Sequence, residues 1–442
     1  MSFELDTKQI NKLAIPAILY NITEPLIGLA DTAIIGQMPE HATQAQGGVG
    51  LAVGLIMTLI WGLAQVRTAV SAIISKYLGM GKLNEIKSLI PQSLAFSLIL
   101  GGLFWFLTSF YYGNISDILF QEDNQRIKDF SASYYNIRAM GLPLSLFIAG
   151  VFGVFRGYQN TSWAMIISFI GGTANIVMDL ILVNGVEGLV PAYGVEGAAI
   201  ASVIAQLMMA ILCAVYLLNK TPFNLKLGLP LNHEFSNMFW IAMNMLARTL
   251  ALNVTFILAL RYASGYGAKE LAAYTIGINI WLFTSFFIDG YSNAGNALAG
   301  KFLGANDNKN LNRLGWKLMF INLRIAIGLS IVYFVSYPFM SQIFNSDPEV
   351  QQIFNSFYWL VILAIPINSI AYSFDGVFKG LGEAKFLRNI LLVGTFIIFI
   401  PVLLLMDYLQ LDLFSIWIAF VAWMLWRAIS LVVKFSKLVN DK

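Results

Sequence analysis

The chain has 442 residues, of which 58% are hydrophobic and only 12% charged. So few charges cannot cover a soluble domain of this length, which places the chain in a lipid bilayer. A net charge of +3 without a Lys/Arg-rich run excludes nucleic acid as a partner, and a single cysteine, Cys213, excludes an internal disulfide or a cysteine-based zinc site.

Apolar stretches long enough to cross a bilayer predict an all-α membrane protein of about 12 transmembrane helices. They fall at roughly 13–36, 47–75, 89–112, 130–156, 163–184, 195–218, 237–262, 271–299, 316–337, 355–378, 388–406 and 414–433. No basic leader with a cleavage site precedes the first, so it is expected to stay in the membrane. The loops expected inside gather Lys76, Lys82, Lys87, Lys301, Lys309 and Arg313, whereas the outer loops carry Asp117, Glu122, Asp123, Asp347 and Glu349. This bias predicts a multi-pass protein of a bacterial inner (plasma) membrane with both termini cytoplasmic.

The two halves repeat. Gly153-Val154-Phe155-Arg156-Gly157 returns as Gly376-Val377-Phe378-Lys379-Gly380, and Pro143 returns as Pro366. Lys76-Tyr77-Leu78-Gly79 returns as Lys301-Phe302-Leu303-Gly304 at nearly the same offset. The expected organisation is two pseudo-symmetric six-helix bundles, 1–218 and 237–442, joined by a cytoplasmic linker at 219–236. An even number of helices per half makes this a parallel repeat, an architecture in which transporters hold substrate between the lobes.

Ionisable side chains inside a span are costly and therefore candidate site residues. Glu24 and Asp31 share one face of the first helix, which also carries Pro16 and Pro25. Each proline removes a backbone donor and is expected to bend that helix. Asn175 and Asp179, spaced i, i+4, share a face of the fifth helix. If those faces meet, Asp31, Asp179 and Asn175 form an oxygen-lined pocket for a proton or a small hard cation, since two close carboxylates cannot both stay charged without a counter-ion. Asp289 lies mid-span on the eighth helix and is a candidate for substrate or cation contact. Arg248 stands at the repeat offset from Glu24, and the two form a candidate gate pair; the bland reading is that Arg248 bonds a polar group in its own lobe. Asp375 reads as an i, i+4 partner of Lys379 whose loss should be mild. Arg67, Arg138, Arg324 and Arg427 lie near span ends and are expected to snorkel to the interface without a functional role.

The stretch from Pro16 to Ala30-Asp31-Thr32-Ala33-Ile34-Ile35-Gly36 resembles the first helix of the multidrug and toxic compound extrusion (MATE) family, in its DinF-like branch. Asn175-Ile176-Val177-Met178-Asp179 resembles the fifth-helix motif of that branch. The resemblance covers nearly the whole chain. It implies a V-shaped pair of six-helix bundles and antiport of cationic or amphipathic small molecules against H⁺ or Na⁺, with no cofactor beyond that ion. Carried over by position, it assigns Asp31, Asn175 and Asp179 to a first-lobe cation site, which would be the metal ligands if Na⁺ is the coupling ion. Ser202 is the candidate sixth-helix hydroxyl of that site, and Pro16 the bending proline. Where Asn296 stands, the branch often has an acidic residue. A monomer contacting membrane lipids is expected.

Two other readings compete. A lipid-linked oligosaccharide flippase of the same superfamily would need several basic residues in its central seam, where only Arg248 is a candidate. A membrane-embedded transferase would need clustered His or Asp residues at a membrane face. No Walker motif, nucleophile elbow or H-E-x-x-H sequence is present, so no enzymatic activity is expected.

Overall fold

The computed structural model describes residues 6–38, 40–120 and 124–440. Among these, twelve helices are long and apolar enough to span a membrane. They are α1 (Thr7–Ile35), α2 (Ala42–Gly79), α3 (Leu83–Phe110), α4 (Gln125–Gly157), α5 (Ser162–Asn184), α6 (Gly194–Lys220), α7 (Phe235–Tyr266), α8 (Ala268–Gly304), α9 (Asn308–Val335), α10 (Pro348–Gly380), α11 (Ala384–Tyr408) and α12 (Leu413–Leu438). No strand occurs among the described residues. Helices meet the demand of lipid, where each backbone donor and acceptor must be paired within the protein, by pairing them within their own segment.

The repeat seen in the sequence has a packing cause. Each Gly-x-x-x-Gly motif clears a groove in which another helix lies at backbone distance. A Cβ at Gly157 would sit 2.9 Å from the Ser71 carbonyl and 2.7 Å from Ile74 Cβ, while one at Gly153 would lie 2.9 Å from Arg67 Cα, so α4 seats α2. In the second half, Gly376 meets the Ser292 backbone and Gly380 the Asn296 backbone, so α10 seats α8 in the same manner. Gly79 and Gly304 are reciprocal: each lies against the backbone carbonyl of the lysine that opens the other's motif, Lys301 and Lys76. Short helices, Tyr112–Phe120 and Tyr337–Phe344, follow α3 and α9 in turn.

The chain divides into two compact units. One comprises Leu19–Ile74 and Lys82–Trp240; the other comprises Met1–Ile18, Ser75–Gly81 and Ile241–Lys442. The division therefore falls within α1, two residues past Pro16. Backbone hydrogen bonding carries α1 as one helix through both prolines. In the unit containing Leu19–Ile74, the connection after α6 is strapped to α3. Gln92 Nε2 donates to the carbonyls of Gly228 (2.8 Å) and Pro230 (3.1 Å), and Asn232 N donates back to Gln92 Oε1 (2.8 Å). In the other unit, a core of rings forms around Trp417, which stacks on Phe357 with centroids 5.4 Å apart and contacts Trp281 and Phe420. Gly277 makes room for it: a Cβ there would lie 2.6 Å from the indole.

Candidate functional site

Two adjacent glycines bring the site helices together. Gly171 of α5 lies against Met209 of α6, and a Cβ at Gly172 would lie 2.8 Å from Ile27 of α1. With no side chain in the way, α5 can approach α1 on one side and α6 on the other. Asp31, Asn175, Asp179 and Ser202 thereby enter one buried space, as the sequence reading expected of the first three and the family resemblance of the fourth.

Asp179 is 0% exposed and Asp31 8%. Their carboxyl groups are within hydrogen-bonding reach of each other. Neither Asp179 oxygen, nor Asp31 Oδ1, receives a hydrogen bond from any described donor. The pair is thus acceptor facing acceptor. A buried carboxylate without a donor is costly, and two that share a space are costlier. A proton, or another cation, placed between them would complete the arrangement. Asn175 Nδ2 donates to Ser202 Oγ at 3.5 Å, a long contact that orients the amide and leaves its oxygen as an acceptor. Among the described residues no three His, Cys, Asp or Glu side chains cluster, so a sodium ion here would rely on two carboxylates and neutral oxygens.

Two further residues belong to this space and were not singled out from the sequence. Tyr134, buried on α4, places its hydroxyl within reach of Ser202. Arg138, one turn later, is 8% exposed and acts electrostatically on Asp31, Asp179 and Tyr134. The expectation that Arg138 snorkels to the interface is overturned: its side chain is buried and its charge acts on both carboxylates. The i, i+4 pairing of Tyr134 with Arg138 inside a span was the available signal. One fixed positive charge beside two carboxylates leaves the trio one positive charge short of neutral, which a single monovalent cation would supply.

The other candidates lie elsewhere. Pro16 lies within α1, and the side chains of Glu24 and Pro25 lie outside the described residues. Asp289 is half-buried on α8 and accepts from Asn293 Nδ2 at 3.3 Å. Arg248 donates to Asp375 Oδ1 at 2.8 Å, a partner within its own unit. Asp375 also pairs with Lys379 at 2.7 Å, as its spacing suggested, and lies 3.9 Å from Arg427. Arg427 is 1% exposed and is held over the rings of Trp423 and Tyr372, so it too does not snorkel. One buried acid therefore serves three cations, and the expectation that its loss is mild no longer holds.

Comparison with known proteins follows the same lines. The MatE family profile matches residues 16–181 and 244–405. The "Probable multidrug resistance protein NorM" of Thermotoga maritima is 24% identical over 95% of this chain and 90% of its own length. "DNA damage-inducible protein F" of Escherichia coli is 25% identical over 88% of this chain and 83% of its own. "Protein DETOXIFICATION 43" of Arabidopsis thaliana is 28% identical over 69% of this chain, a match that spans 56% of the plant protein. Among solved structures, "Crystal structure of MATE in the bent conformation" superposes with a TM-score of 0.90 at 18% identity, covering 98% of this chain and 95% of that one.

Proposed function

The chain belongs to the MatE family of membrane transporters, and on that premise we propose that it is a multidrug efflux antiporter driven by H⁺ or Na⁺ through Asp31 and Asp179. The observation that carries the proposal is the buried carboxylate pair in which both Asp179 oxygens and Asp31 Oδ1 lack a donor among the described residues. Such a pair is incomplete without a cation and complete with one.

The coupling follows from differential affinity. The cation favours the arrangement in which α1 and α5 bring the carboxylates together. Without it, like charges favour separation, and α1 accommodates this by bending near Pro16 and Pro25. A ligand shifts a conformational equilibrium only by binding one state better than the other. A substrate that favours the separated arrangement is therefore exchanged for the cation. Asn175 and Ser202 fix the geometry of the pocket, while Asp289 contacts substrate or cation in the other unit. The substrates are cationic or amphipathic small molecules. Two lobes, 1–218 and 237–442, alternate about the linker 219–236. The protein acts as a monomer in a bacterial inner membrane with both termini cytoplasmic.

The test is dye efflux from proteoliposomes under a pH gradient or a Na⁺ gradient, imposed separately. One gradient alone should drive efflux, and Asp31→Asn should abolish that response. Efflux by Asp31→Asn that equals the unsubstituted protein's would overturn the assignment.

A further inference from the structure

The connection between α6 and α7 is apolar where a linker in water would be polar. Leu225, Leu227, Leu229 and Leu231 alternate with Lys226, Gly228 and Pro230. All four leucines are exposed, Leu229 by 88%. Four large apolar side chains within so short a stretch of irregular backbone form a patch that water penalises. Phe223, just before them, is buried and anchors the start of the segment.

The depth of the linker follows from what holds it. The apolar run of α3 begins at Leu89. Buried Gln92, within the first turn of that run, donates to the carbonyls of Gly228 and Pro230 and accepts from Asn232 N. Phe96, about 10 Å along the helix axis from Leu89, meets Phe235 and Phe239 edge-on at the start of α7. The linker therefore rejoins the bundle at the level of the span rather than beyond it. At that depth irregular backbone is tolerated only where protein groups pair it. Besides Gln92, Thr221 Oγ1 accepts from Phe223 N at 3.3 Å and Asn224 Oδ1 from Lys226 N at 3.0 Å. Backbone groups are paired by the protein while the leucines are left outside, which is the pattern of a segment that meets lipid.

Two further observations select a bilayer as the occupant. The patch continues an exposed apolar stripe of α6, formed by Leu207, Ile211, Val215 and Leu218 at helical spacing. Lys220 and Lys226, both exposed, flank the leucines with the charge that anionic head groups attract. We infer that residues 225–231 lie in the interfacial layer of the bilayer, with the leucines among the outermost acyl segments and Lys220 and Lys226 at head-group phosphates. The linker is thereby fixed to one leaflet. The inference needs only a membrane-embedded chain, so it stands or falls apart from the coupling proposal.

The experiment is spin-label accessibility of the full chain in nanodiscs of phosphatidylglycerol and phosphatidylcholine. Cys213→Ser removes the native thiol, and Leu227→Cys, Leu229→Cys or Lys82→Cys then carries the label. Oxygen concentrates in lipid and a water-soluble nickel chelate stays out of it. The ratio of oxygen to nickel collisions should be several-fold higher at 227 and 229 than at Lys82, an exposed charge on α2–α3 loop backbone. Leu225→Cys, also at an exposed position, replaces either leucine variant that fails to fold. A ratio at the leucine positions equal to that at Lys82 would place the segment in water and overturn the inference. Labels reached by neither reagent would show that another part of the protein covers the leucines, and would overturn it equally.

Discussion

Replacing Asp375 by asparagine keeps the shape of the side chain and removes its charge. The carboxylate is 2% exposed, accepts from Arg248 at 2.8 Å and forms an ion pair with Lys379 at 2.7 Å, with Arg427 at 3.9 Å. Without it three cations face one another, of which Arg427 is as buried as the acid itself and Arg248 nearly so. Breaking a buried ion pair by removing one partner costs about 3–5 kcal/mol, because the remaining charge keeps its desolvation penalty and loses its attraction. With an unfolding entropy of about 2 cal/mol/K per residue, a 442-residue chain that melts as one unit loses about 3–5 °C in Tm. Buried Trp281, Trp417 and Trp423 lie in the same unit, so a tryptophan-fluorescence melt in detergent reports the change. Adding Arg248→Met to Asp375→Asn removes one of the stranded cations and should recover part of the loss. A melt of Asp375→Asn within about 1 °C of the unsubstituted protein would refute the reasoning, since that shift is too small for a buried pair of this kind. So would a double variant less stable than the sum of the two single losses, which would mean that Arg248 has another stabilising partner.

Asp31→Asn and Asp179→Asn each supply an amide donor to a carboxylate that has none, so both should abolish gradient-driven efflux while keeping or raising stability by about 1–3 kcal/mol. The single cysteine, Cys213, is fully buried in the same unit, so the midpoint of its reaction with a thiol-reactive dye on heating measures that stability directly. Gly157→Ala and Gly380→Ala, which drive a methyl group into the backbone of α2 and α8 respectively, should each cost about 1–3 kcal/mol in a thermal melt. Gly28→Ala, with no atom within 4 Å of the added methyl, should cost nothing in the same assay. Exchanging the charges in Glu24→Arg with Arg248→Glu should restore none of the efflux lost by either change, because Arg248 is held by Asp375; recovery would establish the gate pair instead.

The helices and the carboxylate site were legible for different reasons. Each span is a continuous apolar run, a local property that needs no knowledge of its neighbours, and the repeated Gly-x-x-x-Gly motifs mark the places where backbones approach. Asp31 and Asp179 stood out because a carboxylate inside a span is rare on grounds of solvation alone. Arg138 and Arg427 did not, because a long cationic side chain near a span end has two physically acceptable destinations, the interface or the interior. Sequence position does not choose between them. What chooses is the partner: Asp31 and Asp179 for Arg138, and Asp375 with the faces of Trp423 and Tyr372 for Arg427. The same holds for Asp375, whose i, i+4 lysine is a local contact and whose two arginines come from helices distant in the chain. The carboxylates facing each other at the first site carry a shortage of positive charge, whereas the acid at the second is outnumbered by cations. A site of the first kind can exchange a cation at no cost in packing, and one of the second kind cannot release its acid without stranding three charges. That difference in charge balance, rather than burial, is what supports the proposed coupling role of Asp31 and Asp179 and the structural role expected of Asp375.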